Sequence, residues 1–328
     1  MRAFRFLSFA SALHRPSDVS RMEVSAKTPE IPVVQKIESE ITRITHEQLD
    51  QFIAESDRLG GPESPATIQY WKDMEYAPAV IVDKSLDPFG DEYLSQQLVL
   101  YNEISGRRLN QNENEHVHFE LAKHIVARNP YDHPDPTTLA VHVIRLCSAM
   151  RLAKAHRGAR LLDMGCGWGL SSELASYLGF EVHALDINDN FIKLVDERSR
   201  RLNLGIKSIH SSFDEFVTEE KFDMVLFYEC LHHAVTPWVL LEKMAGVLAD
   251  QGKILLCGEP INEYWWPAWG LRLDPLSVYC IHKFGWFESG WSRDFILKCL
   301  DRALLDSTFV PAEDPLLGPI IVASKRIV

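Results

Sequence analysis

The stretch Asp163-Met164-Gly165-Cys166-Gly167-Trp168-Gly169 sets three glycines at alternate positions, directly after the apolar residues 159–162 and directly before Leu170-Ser171-Ser172-Glu173-Leu174-Ala175. Glycine has no Cβ to block a sharp turn or the approach of a ligand. If a helix opens there, its first amides are unpaired donors facing that ligand. Asp186 follows Gly165 by 21 residues. Its carboxylate can take two neighbouring hydroxyls in charge-assisted hydrogen bonds. A third group, Glu229, His232 and His233, brings imidazole, which titrates near neutral pH and can remove a hydroxyl proton as a bond to carbon forms. Each has a plainer reading: a turn-capping Asp163, a solvent-facing Asp186, and histidines that pack at a helix start. Glu229, His232, His233 and Glu259 are also competent metal ligands, but no i,i+4 pair of histidines supports that use and no metal is expected.

These groups sit at the ends of strand-like segments. Apolar runs at 159–162, 180–185, 206–210, 222–228 and 253–257 alternate with helix-like stretches. A helix near 292–304 and two last strands, near 308–311 and 319–324, complete the series. The expected fold is α/β: a Rossmann-like, seven-stranded, mostly parallel sheet with flanking helices. In such sheets ligands bind beyond the carboxyl ends of the strands, where all three groups fall.

The ordered set of strand-end motifs over roughly 120 residues resembles the class I S-adenosylmethionine-dependent methyltransferases. G-x-G-x-G with Asp163 ahead of it is similar to their first motif, and Asp186 to their ribose clamp. The resemblance implies S-adenosyl-L-methionine as cofactor, held by Asp163, Gly165, Cys166, Gly167, Asp186, Ile187, Ser212, Phe213 and Tyr228. It also implies the strand order 3-2-1-4-5-7-6 with an antiparallel last strand. One departure concerns adenine: Ser212 stands where many relatives carry an acid, and Asp214 follows two places later. Either Ser212 with the Phe213 amide or Asp214 makes that contact. A nicotinamide fingerprint would need a third glycine at Leu170, so an oxidoreductase is a distant alternative.

Net charge is −12, from 34 basic and 46 acidic residues, which disfavours nucleic acid as substrate. The six cysteines form no CxxC pair, as expected of a reduced, cytoplasmic chain. Cys166, Cys230 and Cys257 fall at strand ends, and small buried hydrophobes are the simpler reading of them. No stretch has the length of a membrane span. Residues 1–30 read as a poorly ordered tail, although four arginines before Met22 faintly resemble a transit peptide.

Residues 31–157 read as a mainly helical substrate or cap region, and 158–328 as the α/β domain with an aromatic-rich insertion at 259–291. The cap is expected to hold a two-piece helix over 31–59, with a capping box at Thr45 and Gln48, and helices near 91–105, 117–127 and 136–154. His116, His118 and His124 read as surface residues of this cap. The insertion carries Trp265, Trp266, Trp269, Trp286 and Trp291. Its aromatic faces and charges suit a saccharide acceptor, and equally the filling of a junction between cap and sheet. The expected activity is O-methylation of a small-molecule or saccharide-type acceptor, with His232, His233 and Glu229 at the chemistry. A non-catalytic, cofactor-binding partner subunit is the alternative.

Overall fold

A computed structural model describes residues 41–154, 156–312, 314 and 317–326. The N-terminal tail and the helix expected at 31–40 lie outside the described residues. Ahead of the main sheet run β1 (Thr42–Ile44), α1 (Leu49–Arg58), α2 (Pro65–Trp71), β2 (Met74–Tyr76), α3 (Asp91–Ser105), α4 (Gln111–Asn114), α5 (Leu121–Val126) and α6 (Pro136–Ala153). Then come β3 (Arg160–Met164), α7 (Leu170–Tyr177), β4 (Glu181–Asp186), α8 (Asp189–Leu202), β5 (Lys207–His210), β6 (Phe222–Tyr228), α9 (Pro237–Val247) and β7 (Leu248–Cys257). The insertion contributes β8 (Trp269–Leu271), α10 (Pro275–Phe284) and β9 (Ser289–Trp291). The end of the chain adds α11 (Arg293–Arg302), β10 (Leu305–Val310) and β11 (Ile320–Lys325).

Seven strands form one sheet in the order β10-β11-β7-β6-β3-β4-β5. Counted along the sheet-forming sequence this is 3-2-1-4-5-7-6, as the resemblance implied. β3 to β7 pair in parallel, and β11 runs antiparallel to both β7 and β10. A parallel sheet is covered on both faces, so its strands read as continuous apolar runs. Alternate residues then part to opposite faces. Leu161, Met224, Leu226 and Leu255 join the core that includes Leu146 and Met150 of α6. Leu162, Val225, Phe227 and Leu256 join a larger core with residues of α3, α10 and the insertion.

Three local expectations are corrected. Thr42–Ile44 is a strand, not helix: it pairs in parallel with β2. Ile41 and Ile44 share no buried face, since Ile41 is exposed and Ile44 buried. Extended backbone suits this β-branched run, and the helix starts beyond the Thr45–Gln48 turn, where Gln48 Oε1 accepts the Thr45 amide at 2.9 Å. The helix expected over 117–127 shrinks to α5, because the Val117 carbonyl is turned toward Asn188 Nδ2, 3.2 Å away. His124 is buried and not a surface residue; its ring packs 4.5 Å from that of Trp168. Among the described residues no helix is long and apolar enough to cross a membrane.

Candidate functional site

β3 ends at Met164 and α7 begins at Leu170, so the five residues between them are the glycine turn. Gly165 has φ +63, and a Cβ there would lie 2.9 Å from Cys230 Cβ. A side chain at this position therefore collides with the turn that follows β6. Gly167 has φ +50, but a Cβ there would meet nothing within 4 Å. The backbone needs glycine for its conformation, and the room above it opens to the cleft. Asp163 lies below this turn, fully buried, with its Oδ2 accepting from Ser171 Oγ at 2.6 Å and Ser172 Oγ at 2.5 Å. Burial raises its pKa to about 6 against the lowering effect of the two serines.

The cleft runs along the carboxyl ends of the strands. One part is lined by Gly165, Cys166, Gly167, Asp186, Ile187, Ser212, Phe213 and Asp214. Asp186 is buried, and its Oδ1 accepts the Asn188 amide while Oδ2 accepts the Gly167 amide, both at 2.8 Å. Burial raises this carboxyl's pKa to about 6, and the two amides oppose that rise. Trp168 and Phe191 form an aromatic wall, with ring centroids 5.0 Å apart. Neither was expected in the site, since an apolar residue beside a motif carries no signal of where its ring packs.

The other part of the cleft is lined by Gln111, Glu115, Tyr131, Tyr228, Glu229, His233 and Trp286. Glu229 has φ +54 and pairs through Oε1 with Arg145 Nη1 at 2.5 Å. Its other oxygen lies 3.9 Å from His142 Nδ1, which itself contacts the Tyr228 hydroxyl at 2.5 Å. Arg145 and His142 were missed because nothing in α6 marks its buried face as polar. Cys166, Cys230 and Cys257 are buried free thiols whose pKa burial pushes upward.

The two histidines occupy different places. His232 stands behind His233, with ring centroids 4.4 Å apart, and does not line the cleft. Its Nδ1 lies 3.0 Å from Glu259 Oε2. Glu259 also accepts the amides of Cys230 and Leu231 at 3.0 Å and of His232 at 3.2 Å, which fixes the turn. His233 faces the cleft with its Nδ1 3.2 Å from Glu115 Oε2. Burial lowers its pKa, but Glu115, Glu288 and Glu259 outweigh burial and raise it to about 9. Such a ring is protonated at neutral pH, which counts against His233 alone as the proton acceptor. The converging metal-competent group among the described residues is His232, His233 and Glu288. Glu229 is turned to Arg145 instead, and Glu259 to the turn amides.

The insertion's tryptophans divide. Trp269 and Trp291 are opposite one another in the β8–β9 ladder and fully buried. Trp269 donates from Nε1 to the Pro88 carbonyl at 2.7 Å. Trp286 is the one of the five that lines the cleft. Glu115 and Gln111, also missed, enter from the segment after α3. Gln111 Nε2 donates to the His233 carbonyl at 2.6 Å, and Glu115 Oε1 accepts the Phe287 amide at 2.9 Å.

Residues 162–256 match the methyltransferase domain family. The ubiquinone biosynthesis O-methyltransferase of Bradyrhizobium diazoefficiens is 32% identical over 159 residues, 48% of this chain and 60% of that protein. The enzyme of the same name from Xanthomonas axonopodis pv. citri is 32% identical over 128 residues, 38% of this chain and 53% of that protein. The chain thus spans little more than half the length of these relatives. A glycopeptide N-methyltransferase, MtfA, aligns at 13% identity and a TM-score of 0.46, over 59% of this chain and 100% of that one, too distant to bear on the acceptor. The glycine turn, the β4 carboxylate and the parallel centre of the 3-2-1-4-5-7-6 sheet fall in residues 162–256, the part of the chain that matches the methyltransferase domain family.

Proposed function

We propose that this cleft binds S-adenosyl-L-methionine and that the protein methylates a hydroxyl oxygen of a small-molecule acceptor. The observation that carries the reading is the buried Asp186 carboxylate, hydrogen-bonded to the Gly167 amide at the mouth of an open glycine turn. The residues present fit the cofactor. Asp186 suits the two ribose hydroxyls, the space over Gly167 suits close backbone approach, and Ser212, Phe213 and Asp214 suit the adenine end. Asp163, buried beneath the turn, holds its shape through Ser171 and Ser172. When bound, the cofactor would supply an electrophilic methyl group on its sulfonium for transfer to the acceptor oxygen, with a neutral thioether as the leaving group and the hydroxyl proton left for the protein to take. This chain's task is then to align the acceptor, exclude water and receive the proton.

On the acceptor side, Trp286 offers an apolar face, and His233 pairs through Nδ1 with Glu115 Oε2 at 3.2 Å. That pair, and not a neutral His233, is the proposed acid–base unit. Oxygen as the methylated atom is also supported by the names of the bacterial relatives. The saccharide variant keeps only Trp286 as aromatic support, because Trp269 and Trp291 belong to the core. The test is calorimetric titration with S-adenosylhomocysteine, followed by methyl release with hydroxylated acceptors. Binding at one site per chain, unaffected by NAD, is expected. Folded protein that ignores S-adenosylhomocysteine overturns the reading, and binding without any turnover would favour the non-catalytic alternative.

A further inference from the structure

We propose that His232, His233 and Glu288 form a site for one divalent transition cation behind the cleft wall that carries His233. One ligand atom from each of these residues lies within 4.8 Å of the others. His232 Nε2 and Glu288 Oε2 are already 3.6 Å apart. Three ligands on an ion with bonds of about 2.1 Å stand roughly 3–3.5 Å from one another, so small side-chain rotations close the set.

The surroundings are those of a ligand frame. Imidazoles that bind metals commonly give their second nitrogen to a carboxylate, which fixes ring and tautomer. Here the Nδ1 of His232 faces Glu259 at 3.0 Å, and the Nδ1 of His233 faces Glu115 at 3.2 Å. Both outer carboxylates are themselves tied down, Glu259 by three backbone amides and Glu115 by the Phe287 amide. The second nitrogen of the His232 ring, Nε2, is the one that faces Glu288.

Charge points the same way. Glu115, Glu259 and Glu288, whose side chains are at most 10% exposed, bring three carboxylates around two imidazoles. Arg272 approaches Glu288 only to 3.9 Å, and its Nε donates to Asp274 at 2.9 Å. A divalent ion where the ligand atoms converge would add to the positive charge that balances these carboxylates. Two nitrogens and one oxygen favour zinc, manganese, iron or cobalt over magnesium or calcium. Glu288 lies outside the matched domain at 162–256, so the insertion completes this site. If, as proposed above, the cleft methylates a hydroxyl, an open position of the ion on the side of His233, the one ligand that lines the cleft, would polarise that hydroxyl and ease its deprotonation.

The test uses the full chain stripped with a chelator, titrated with Zn2+ by calorimetry and with Co2+ by visible absorption. One ion per chain is expected, with a tetrahedral or five-coordinate cobalt spectrum, and millimolar Mg2+ should not displace it. Glu288→Gln and His233→Asn should each weaken Zn2+ at least 100-fold, and Glu259→Gln by about 10–100-fold through the His232 ring. Circular dichroism and thermal melting check that each variant is folded. No stoichiometric Zn2+ binding, or equal binding by the folded Glu288→Gln and His233→Asn variants, overturns the site. S-adenosylhomocysteine affinity measured on the same samples keeps this outcome separate from failure of the methyltransferase reading.

Discussion

Asp186 at the end of β4 accepts the amide of Gly167, from the neighbouring turn, at 2.8 Å. The carboxylate is thus aimed before any ligand arrives, and it shapes the loop that would receive the ligand. Its other oxygen accepts the Asn188 amide, also at 2.8 Å. Each carboxylate oxygen has a second lone pair, so two ligand hydroxyls can be taken without breaking either backbone bond.

The first prediction follows from that arrangement. Asp186→Ala removes charge-assisted bonds worth roughly 1.5–3 kcal/mol each, so S-adenosylhomocysteine affinity should fall at least about tenfold. Asp186→Asn keeps one acceptor oxygen and should fall between the two. Calorimetry on folded protein reads this directly, and unchanged affinity in the alanine variant removes Asp186 from the ligand site.

A pH dependence follows from the same group. The carboxylate binds hydroxyls best when ionised, and its pKa is raised to about 6. Affinity for S-adenosylhomocysteine should be level above pH 7 and decline as pH falls through 6, with the decline absent in Asp186→Asn. Stability runs in the opposite sense. Asp163 and Asp186 both hold their protons more tightly folded than unfolded, so their contribution is complete below about pH 4 and is lost as pH rises through 6. Denaturant melts of the ligand-free protein between pH 4 and 7 measure that loss, and Asp163→Asn should reduce it.

How far the sequence carried these residues depends on how local their causes are. The glycine turn and the strand-end Asp186 were legible because backbone conformation and position along one strand decide them. Thr42–Ile44 was misread because its strand partner lies 32 residues downstream, as Thr42 to Met74. His124 is buried by Phe119 and Trp168, contacts that no spacing in the chain encodes. Glu288 reaches His232 only because β8 and β9 fold the insertion back over the turn after β6. Trp269 and Trp286 are alike in sequence context, yet one enters the core and the other the cleft.

That division gives the third prediction. Trp269→Leu removes a buried ring packed on Tyr93, Trp238 and Phe295, together with its bond to Pro88. A loss on the order of 2–4 kcal/mol is expected, with near-normal kinetics in the folded fraction. Trp286→Leu should instead raise the acceptor KM several-fold with a smaller drop in melting temperature. If both variants lose stability alike and neither changes KM, Trp286 is not an acceptor contact.

Gly167→Ala separates backbone cost from ligand clash. The added methyl meets nothing within 4 Å of the protein, so the cost to folding is the positive φ alone, about 1 kcal/mol. The methyl nonetheless enters the space above the turn. Cofactor-analogue affinity should fall by far more than stability does, on the order of 100-fold. A variant with a normal binding isotherm would place the ligand elsewhere in the cleft.

The Glu229–Arg145 pair is the last relationship to test. Arg145 is 3% exposed and Glu229 15%, with Oε1 and Nη1 2.5 Å apart. His142 beside them has its pKa lowered by burial, so at neutral pH it adds little positive charge of its own. Removing one member of such a pair leaves the other charge uncompensated, which costs roughly 3–5 kcal/mol, whereas removing both costs much less. Glu229→Ala should therefore shift the denaturation midpoint strongly, and Glu229→Ala combined with Arg145→Met should recover a large part of the loss. The positive φ of Glu229, +54, adds a second signature. Glu229→Gly relieves that strain while deleting the charge, so it should be less destabilised than Glu229→Ala by about 1 kcal/mol. If the double variant is as unstable as the sum of its parts, the two side chains are not energetically coupled, and Glu229 is held at the cleft by its backbone alone.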